Sequence, residues 1–143
     1  MDTGGLLSKI LSAPVGKVVD LLGQTLNCKI KLNIIEQNST SLHKFVRKVT
    51  ISANGLPLIK AHVKFDSSVL PEIILDELLQ KKHGIGEILT HNNINVVREV
   101  ISVNHIDANS ATREYTILKD GIVWFTILED IRLGSFGSNN NSR

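Results

Sequence analysis

The sequence has one cysteine, few aromatic residues and no long hydrophobic run, and each shortage excludes a class of protein. Cys28 alone cannot form an internal disulfide, and it excludes a Cys-rich zinc site. Aromatic residues make up 4% of the chain, and 16 basic side chains nearly balance 14 acidic ones. This composition argues against a nucleic-acid partner, which would need a stacking platform or a basic stripe. Because no stretch of about eighteen apolar residues occurs, the sequence predicts no membrane span and no membrane partner.

Metal-binding and secretion signals are also missing. None of the five histidines follows another at His-x-x-x-His spacing, so the sequence predicts no metal site. The first twenty-three residues include Asp2, Lys9, Lys17 and Asp20, which interrupt the apolar run that a secretory signal needs. We therefore expect a cytoplasmic protein.

The hydrophobic periodicity changes along the chain and predicts two helices, three strands, two short helices and three more strands. Ser12 is expected to cap the second helix, with Pro14 in its first turn and its end near Leu26. The predicted helices cover 6–11, 12–26, 70–78 and 87–89, and the predicted strands cover 28–34, 44–52, 57–65, 96–106, 113–119 and 122–132.

Two hairpin signals decide the fold class. Asn54-Gly55 and Asp120-Gly121 each separate two strand-like runs, as two-residue hairpin turns do. Strands grouped in hairpins predict an α+β domain, with a six-stranded antiparallel sheet and helices packed on one side. The length of 143 residues predicts one domain, over 1–133. The Gly-, Ser- and Asn-rich tail at 134–143 is expected to be disordered.

Two charged residues share a strand face with apolar neighbours. Strict alternation places Arg47 on the face of Phe45 and Val49, and Glu129 on the face of Ile127. Both side chains are therefore predicted to point inward. Burial should raise the pKa of Glu129 unless a cation lies nearby.

Two interpretations of these charges remain open. Buried charges are usually paired, so Arg47 and Glu129 could form an ion pair with each other, or with Glu99 and Arg113. Alternatively, they could form an anion pocket in which Arg47 holds a carboxylate and Glu129 handles a proton. Arg98 and Arg113 show the inward pattern more weakly.

The sequence segments around Arg47 and Glu129 resemble those of a known family. The run Arg47-Lys-Val-Thr-Ile-Ser-Ala-Asn-Gly55-Leu-Pro57, followed by Ala61, resembles the Arg-Glu-Val-x-Leu-x-x-x-Gly-x-Pro hairpin of the chorismate lyases. The run Gly84-Ile-Gly-Glu-Ile-Leu89 is similar to the Ile-Gly stretch that follows the central helices of that family.

The two ends of the chain extend the resemblance. Arg113-Glu-Tyr115, Gly121 and Glu129 match a closing pattern of Arg-x-Tyr, a Gly turn and a strand with an inward Glu. The segments 11–22 and 29–37 resemble the small archaeal and bacterial branch of the 4-hydroxybenzoate synthetases. The resemblance covers about 6–133 and implies the chorismate lyase-like fold.

The resemblance implies a specific reaction. Chorismate lyases eliminate pyruvate from chorismate and leave 4-hydroxybenzoate, without a metal or an organic cofactor. By position, Arg47 would bind the ring carboxylate, and Ala61 and Ile85 would contact the ligand. Glu129 would lie at the hydroxyl end of the ring, where a carboxylate can take part in acid–base chemistry.

The remaining partner assignments are less closely tied to a motif. Arg98 or Arg113 would hold the second carboxylate of chorismate, which is a dianion. Neither a monomer nor a homodimer is favoured by the sequence.

Two further alternatives stay open. The same fold resembles the UTRA-type effector-binding domains of bacterial transcription regulators, so a non-catalytic module that binds an aromatic carboxylate competes with the lyase, as does a scaffold protein.

The spacing from Gly121 to Glu129 is one residue longer than in well-known chorismate lyases, which predicts a longer turn or a bulge. A slip of one residue would instead turn Asp130 inward.

Overall fold

The computed structural model of the protein, which describes residues 4–134, has two pairs of helices on a six-stranded sheet. The sheet is antiparallel throughout and has the order β1-β2-β3-β6-β5-β4, which confirms the predicted α+β class. The predicted tail lies outside the described residues, apart from Gly134. The helices are α1 (Gly4–Ser12), α2 (Val18–Leu26), α3 (Glu72–Leu79) and α4 (Ile85–His91); the strands are β1 (Ile30–Ser39), β2 (Lys44–Ala53), β3 (Leu56–Asp66), β4 (Val97–Asp107), β5 (Ser110–Lys119) and β6 (Ile122–Arg132).

The helices cover one face of the sheet and bury two apolar clusters against it. One cluster joins α1 and α2 to Ile59 and Ile131, and the other joins α3 and α4 to Val63 and Ile127. Ile59 and Val63 alternate along β3, and Ile127 and Ile131 alternate along β6, so both clusters lie on the same face. In the described part of the chain, no helix is long and apolar enough to cross a membrane.

Both predicted hairpin turns are present. Asn54 and Gly55 have φ angles of 50° and 83°, and Asp120 and Gly121 have 53° and 78°. Two successive positive φ angles match the twist of the flanking strands, and Asn, Asp and Gly tolerate them best.

A bulge near the second hairpin absorbs the extra residue between Gly121 and Glu129. Ile117 pairs with Phe125, but the next residue of β5, Leu118, pairs with Val123, so Trp124 is the additional residue. Glu129 is buried and therefore stays on the inner face. The predicted bulge is confirmed, and the alternative in which Asp130 turns inward is wrong.

The start of the second helix was predicted wrongly. Ser12 is the last residue of α1, where its hydroxyl donates to the Ser8 carbonyl, and α2 begins only at Val18. The intervening residues form a turn closed by a hydrogen bond of 3.1 Å from Lys17 N to Pro14 O. Gly16 has a φ of +86°, which fits a Pro-x-Gly turn and not the first turn of a helix.

Strands β1 and β5 are longer than predicted. Three polar residues that the sequence assigns to loops, Asn38, Ser39 and Ser110, lie in these strands and pair with β2 or with β6. Backbone pairing does not require apolar side chains, so alternation alone ended these strands too early.

Gly86, at the start of α4, contacts the backbone of Gly16. A Cβ added to Gly86 would overlap the Cα and N atoms of Gly16. The two glycines therefore allow the connection 13–17, between α1 and α2, to lie directly on α4.

Replacing Gly86 by alanine should destabilise the fold, since two backbones would have to move apart. We expect Gly86→Ala to lower the free energy of unfolding by about 1–3 kcal/mol, the usual cost of overpacking. Gly5→Ala is the matched control, because a Cβ there meets no atom within 4 Å and alanine favours a helix. Urea unfolding of both variants tests this, and equal stabilities would contradict it.

Candidate functional site

A cavity of about 720 Å³ lies between the helices and the sheet. Its walls come from the connection 13–17, from α2 and α4, and from strands β1 to β6. The sheet contributes mainly apolar side chains, namely Val49, Ile51, Val63, Ile117 and Ile127. The volume is in the usual range for small-molecule sites, which are also mostly apolar with a few polar groups.

The structure brings together four of the six predicted site residues. Ala61, Ile85, Arg98 and Glu129 line the cavity, whereas Arg47 and Arg113 do not. Ala61 is opposite Glu129 on neighbouring strands. Ile85 is the first residue of α4.

Arg47 points inward, as predicted, but protein groups occupy its guanidinium. The side chain is 0% exposed. Nε donates to Gln37 Oε1 at 2.7 Å, Nη1 to the His83 carbonyl at 2.7 Å, and Nη2 to the Leu78 carbonyl at 3.0 Å. Burial lowers the pKa of Arg47 to about 10, so the group remains protonated near neutral pH.

The bonds of Arg47 give it a structural task. Leu78 lies in the last turn of α3, where the carbonyl end of the helix carries partial negative charge. The cation therefore satisfies the end of α3 and ties it to the sheet. The resemblance assigns a ligand carboxylate to Arg47; that role needs N–H groups open to the cavity, and the structure uses them for Gln37 and two carbonyls.

Gln37 is a buried partner of Arg47 that the sequence did not predict. It is buried, and its amide group accepts from Arg47 and donates to the Leu78 carbonyl at 2.9 Å. Gln37 pairs with Arg47 across β1 and β2. Extending the predicted first strand by strict alternation would have placed Glu36 opposite Arg47; a bulge at Ile35 shifts the register by one residue and puts Gln37 there.

Glu129 forms a buried cluster with Arg113 and Tyr115. Its Oε1 accepts from Nη2 and Nε of Arg113 at 2.8 and 3.0 Å, and its Oε2 accepts from the Tyr115 hydroxyl at 3.0 Å. The Arg113 guanidinium also lies 4.7 Å from the centre of the Tyr115 ring. Burial, followed by the nearby Glu129 carboxylate, raises the pKa of the Tyr115 hydroxyl.

This cluster decides between the pairings that the sequence left open. Glu129 pairs with Arg113, its direct neighbour across β5 and β6. Arg47 lies elsewhere on the sheet and bonds to neutral groups. The cation that could offset the burial of Glu129 is thus Arg113.

Arg98 is the half-buried cation of the cavity wall. Its Nη2 donates to the Ala13 carbonyl at 2.6 Å, and its guanidinium lies 5.3 Å from the centre of the Tyr115 ring. Burial, and then the charge of Arg113, lower the pKa of Arg98. Among residues 4–134, no carboxylate forms a salt bridge with Arg98. With Arg113 neutralised by Glu129, the local charge is positive.

The two arginines also hold the connection 13–17 and the end of α1. Arg113 Nη1 donates to the Leu11 carbonyl at 2.9 Å, beside the Arg98 bond to Ala13. The connection 13–17 and the end of α1, which form the roof of the cavity, are therefore attached by cationic side chains to the sheet, which forms its floor. No group of three or more His, Cys, Asp or Glu residues in the described ranges could hold a metal ion.

Neutralising Glu129 should cost far more stability than neutralising its exposed neighbour. Glu129→Gln leaves the buried Arg113 charge without a partner, which typically costs about 3–5 kcal/mol. Asp130→Asn is the matched control, because Asp130 bonds to Arg132 on the surface, where ion pairs contribute about 0–1 kcal/mol. Urea unfolding at pH 7 checks this, and similar losses in both variants would contradict it.

Comparison with known proteins identifies the fold. No protein-family model matches the sequence, and no curated protein matches it significantly. The effector domain of PhnF from Mycobacterium smegmatis superimposes with a TM-score of 0.54 and 7% identity, over 84% of this chain and 90% of that chain. The possible transcriptional regulator YydK from Bacillus subtilis subsp. subtilis str. 168 gives a TM-score of 0.50 and 10% identity, over 90% and 82%.

These similarities correct the enzymatic interpretation. The similar structures are an effector domain and a possible regulator, not lyases, so the prediction of a chorismate pyruvate-lyase is wrong. The position of Glu129 agrees with this correction, since the oxygens that would handle the proton are bonded to Arg113 and Tyr115. The chain shares with these two structures its α+β fold, a six-stranded antiparallel sheet with helices.

Proposed function

We propose that this chain is a non-catalytic module that binds a small aromatic carboxylate in the cavity between its helices and its sheet. The observation that carries the proposal is Arg98, a half-buried cation on the cavity wall that forms no salt bridge among the described residues. A buried or half-buried cation is stabilised by an anion, and a guanidinium matches the geometry of a carboxylate.

The surroundings of Arg98 favour an anion over a cation. Glu129 is the acidic group of the neighbouring cluster, and both of its oxygens already accept bonds from Arg113 and Tyr115. The positive charge of Arg98 is therefore left for the ligand. Its remaining N–H groups offer a site for a carboxylate without breaking the Arg113–Glu129 pair.

The rest of the cavity favours an apolar, flat body. Val49, Val63 and Ile127 are spaced along the inner face of the sheet, and Ile85 faces them from α4. Such a surface buries a ring without polar groups to satisfy. Ala61, next to Glu129, leaves room close to the strand because its side chain is small.

A regulatory role for such binding has support from the solved structures. The PhnF structure is that of an effector domain, and YydK is a possible transcriptional regulator. An effector domain binds a small molecule and changes the state of an attached unit. We propose the same class of task for this chain.

Binding of 4-hydroxybenzoate tests the proposal, with the neutral 4-hydroxybenzamide as a matched probe. In isothermal titration calorimetry, we expect wild-type protein to bind the acid, and Arg98→Met to bind it about 10–100-fold more weakly, the usual effect of losing a charged hydrogen bond. The amide should bind both proteins equally, since it does not need the cation.

Arg132→Met is the control variant, because Arg132 is exposed, bonds to Asp130 and does not line the cavity. Its affinity for 4-hydroxybenzoate should equal that of wild type. Absence of binding by wild-type protein, or equal affinity in Arg98→Met, would contradict the proposal.

A further inference from the structure

A second cavity adjoins the one between the helices and the sheet. Its volume is about 470 Å³, and it lies between the connection 13–17, the end of α4 and the segment that leads into β4. The residues that line both cavities are Pro14, Val15, Thr90 and Arg98. The second cavity therefore begins at the same cation as the apolar one.

The second cavity has side-chain amides in its wall, and the described wall of the first cavity has none. The amides belong to Asn93 and Asn95, and Thr90 adds a hydroxyl. Within residues 4–134, none of these three side chains forms a hydrogen bond with another part of the chain. An asparagine amide donates through its nitrogen and accepts through its oxygen. These groups therefore match a ligand that itself has an N–H group and a carbonyl.

Apolar side chains form the rest of this wall. Leu89 is buried, and Ile94 and Val96 are half-buried and pack against the core cluster under α3 and α4. A small apolar group can cover these three side chains while a polar group beside it meets the amides. Mixed walls of this kind are typical of sites that bind a small molecule in one orientation.

The segment that carries the amides is fixed to the end of α4. The backbone N of Asn93 donates to the Thr90 carbonyl at 3.1 Å, and that of Ile94 donates to the Leu89 carbonyl at 3.0 Å. A site that is held in place before binding loses less conformational entropy when the ligand arrives.

We propose that the ligand of this module is an N-acyl aromatic amino acid, a carboxylate that carries both a ring and an acylated amino group. The inference rests on the proposed function and names its ligand class. Arg98 binds the carboxylate, the ring enters the apolar cavity, and the acyl amide enters the second cavity. Both branches leave the carbon that carries the carboxylate, so a cation at the border of two cavities suits this molecule.

The distribution of charge supports this arrangement. Arg98 is the sole charged residue among the described residues that line the second cavity. A second anionic group placed there would have no further cation to bind, whereas a neutral amide needs none. The ligand therefore has one carboxylate, at Arg98, and a neutral branch beside it.

Isothermal titration calorimetry with two acids tests the role of the second cavity. N-acetyl-L-phenylalanine and hydrocinnamate have the same ring and the same carboxylate, and hydrocinnamate lacks the acetylamino branch. We expect wild-type protein to bind N-acetyl-L-phenylalanine about 10-fold more tightly, the effect of one or two additional neutral hydrogen bonds.

Asn95→Trp should remove this advantage by filling the second cavity. Asn95 is exposed and lines the second cavity but not the first. The affinity for N-acetyl-L-phenylalanine should fall about 10-fold, to that of hydrocinnamate, whose own affinity should not change. Asn104→Trp is the matched control, because Asn104 is exposed on β4 and lines neither cavity. It should bind both acids as wild type does.

Asn93→Gly keeps the test decisive if the tryptophan disturbs the fold. The φ angle of Asn93 is 56°, in the left-handed region that glycine adopts readily. Loss of this amide should weaken the binding of N-acetyl-L-phenylalanine by about 3–10-fold, the effect of one neutral hydrogen bond. The affinity for hydrocinnamate should stay unchanged.

The outcomes separate this inference from the proposed function. If wild-type protein binds 4-hydroxybenzoate, but binds N-acetyl-L-phenylalanine no more tightly than hydrocinnamate, the inference is wrong and the proposed function stands. Unchanged affinity for N-acetyl-L-phenylalanine in either variant would also overturn the inference alone. Absence of binding of all three acids would overturn both.

Discussion

The buried pair of Arg113 and Glu129 is the interaction on which the rest of the cavity depends. The carboxylate holds the guanidinium on one side and the Tyr115 hydroxyl on the other. The same guanidinium reaches the Leu11 carbonyl, and so connects two sheet strands to the end of α1. A buried pair of this kind adds little net stability. Its effect is positional, because it fixes the cavity floor, the tyrosine and the roof in one arrangement.

Arg47 and Arg98, both predicted to point inward, differ in what their guanidinium groups contact. Both lie on strands among apolar residues. The guanidinium of Arg47 is buried and bonded to protein groups, whereas that of Arg98 is half-buried on the cavity wall. The difference comes from the elements packed above them. Leu78 in α3 and His83 beyond it supply two carbonyls to Arg47, whereas Arg98 donates to the Ala13 carbonyl and lies over the Tyr115 ring.

The alternation of side chains along strands and the residues of the turns predicted the local features of the fold. The hairpins, the strand order of hairpin partners and the inward Arg47 follow from neighbouring residues, whereas the bulge before Glu129 was one of two options predicted from the resemblance. Partner choice was not predictable, because Arg47 bonds to residues up to 36 positions away and Arg98 to one 85 positions away. The resemblance predicted the six-stranded antiparallel fold correctly. It gave the wrong activity, because the same inward residues can hold the protein together instead of a substrate.

The contact between Gly16 and Gly86 has a mechanical consequence. The connection 13–17 touches α4 backbone to backbone, without a side chain between them that could change rotamer. Movement of this connection therefore requires either a rigid-body displacement together with α4 or loss of the whole contact. Since Arg98 and Arg113 bond to the same region from the sheet side, moving the connection away from the sheet also requires these two hydrogen bonds to break.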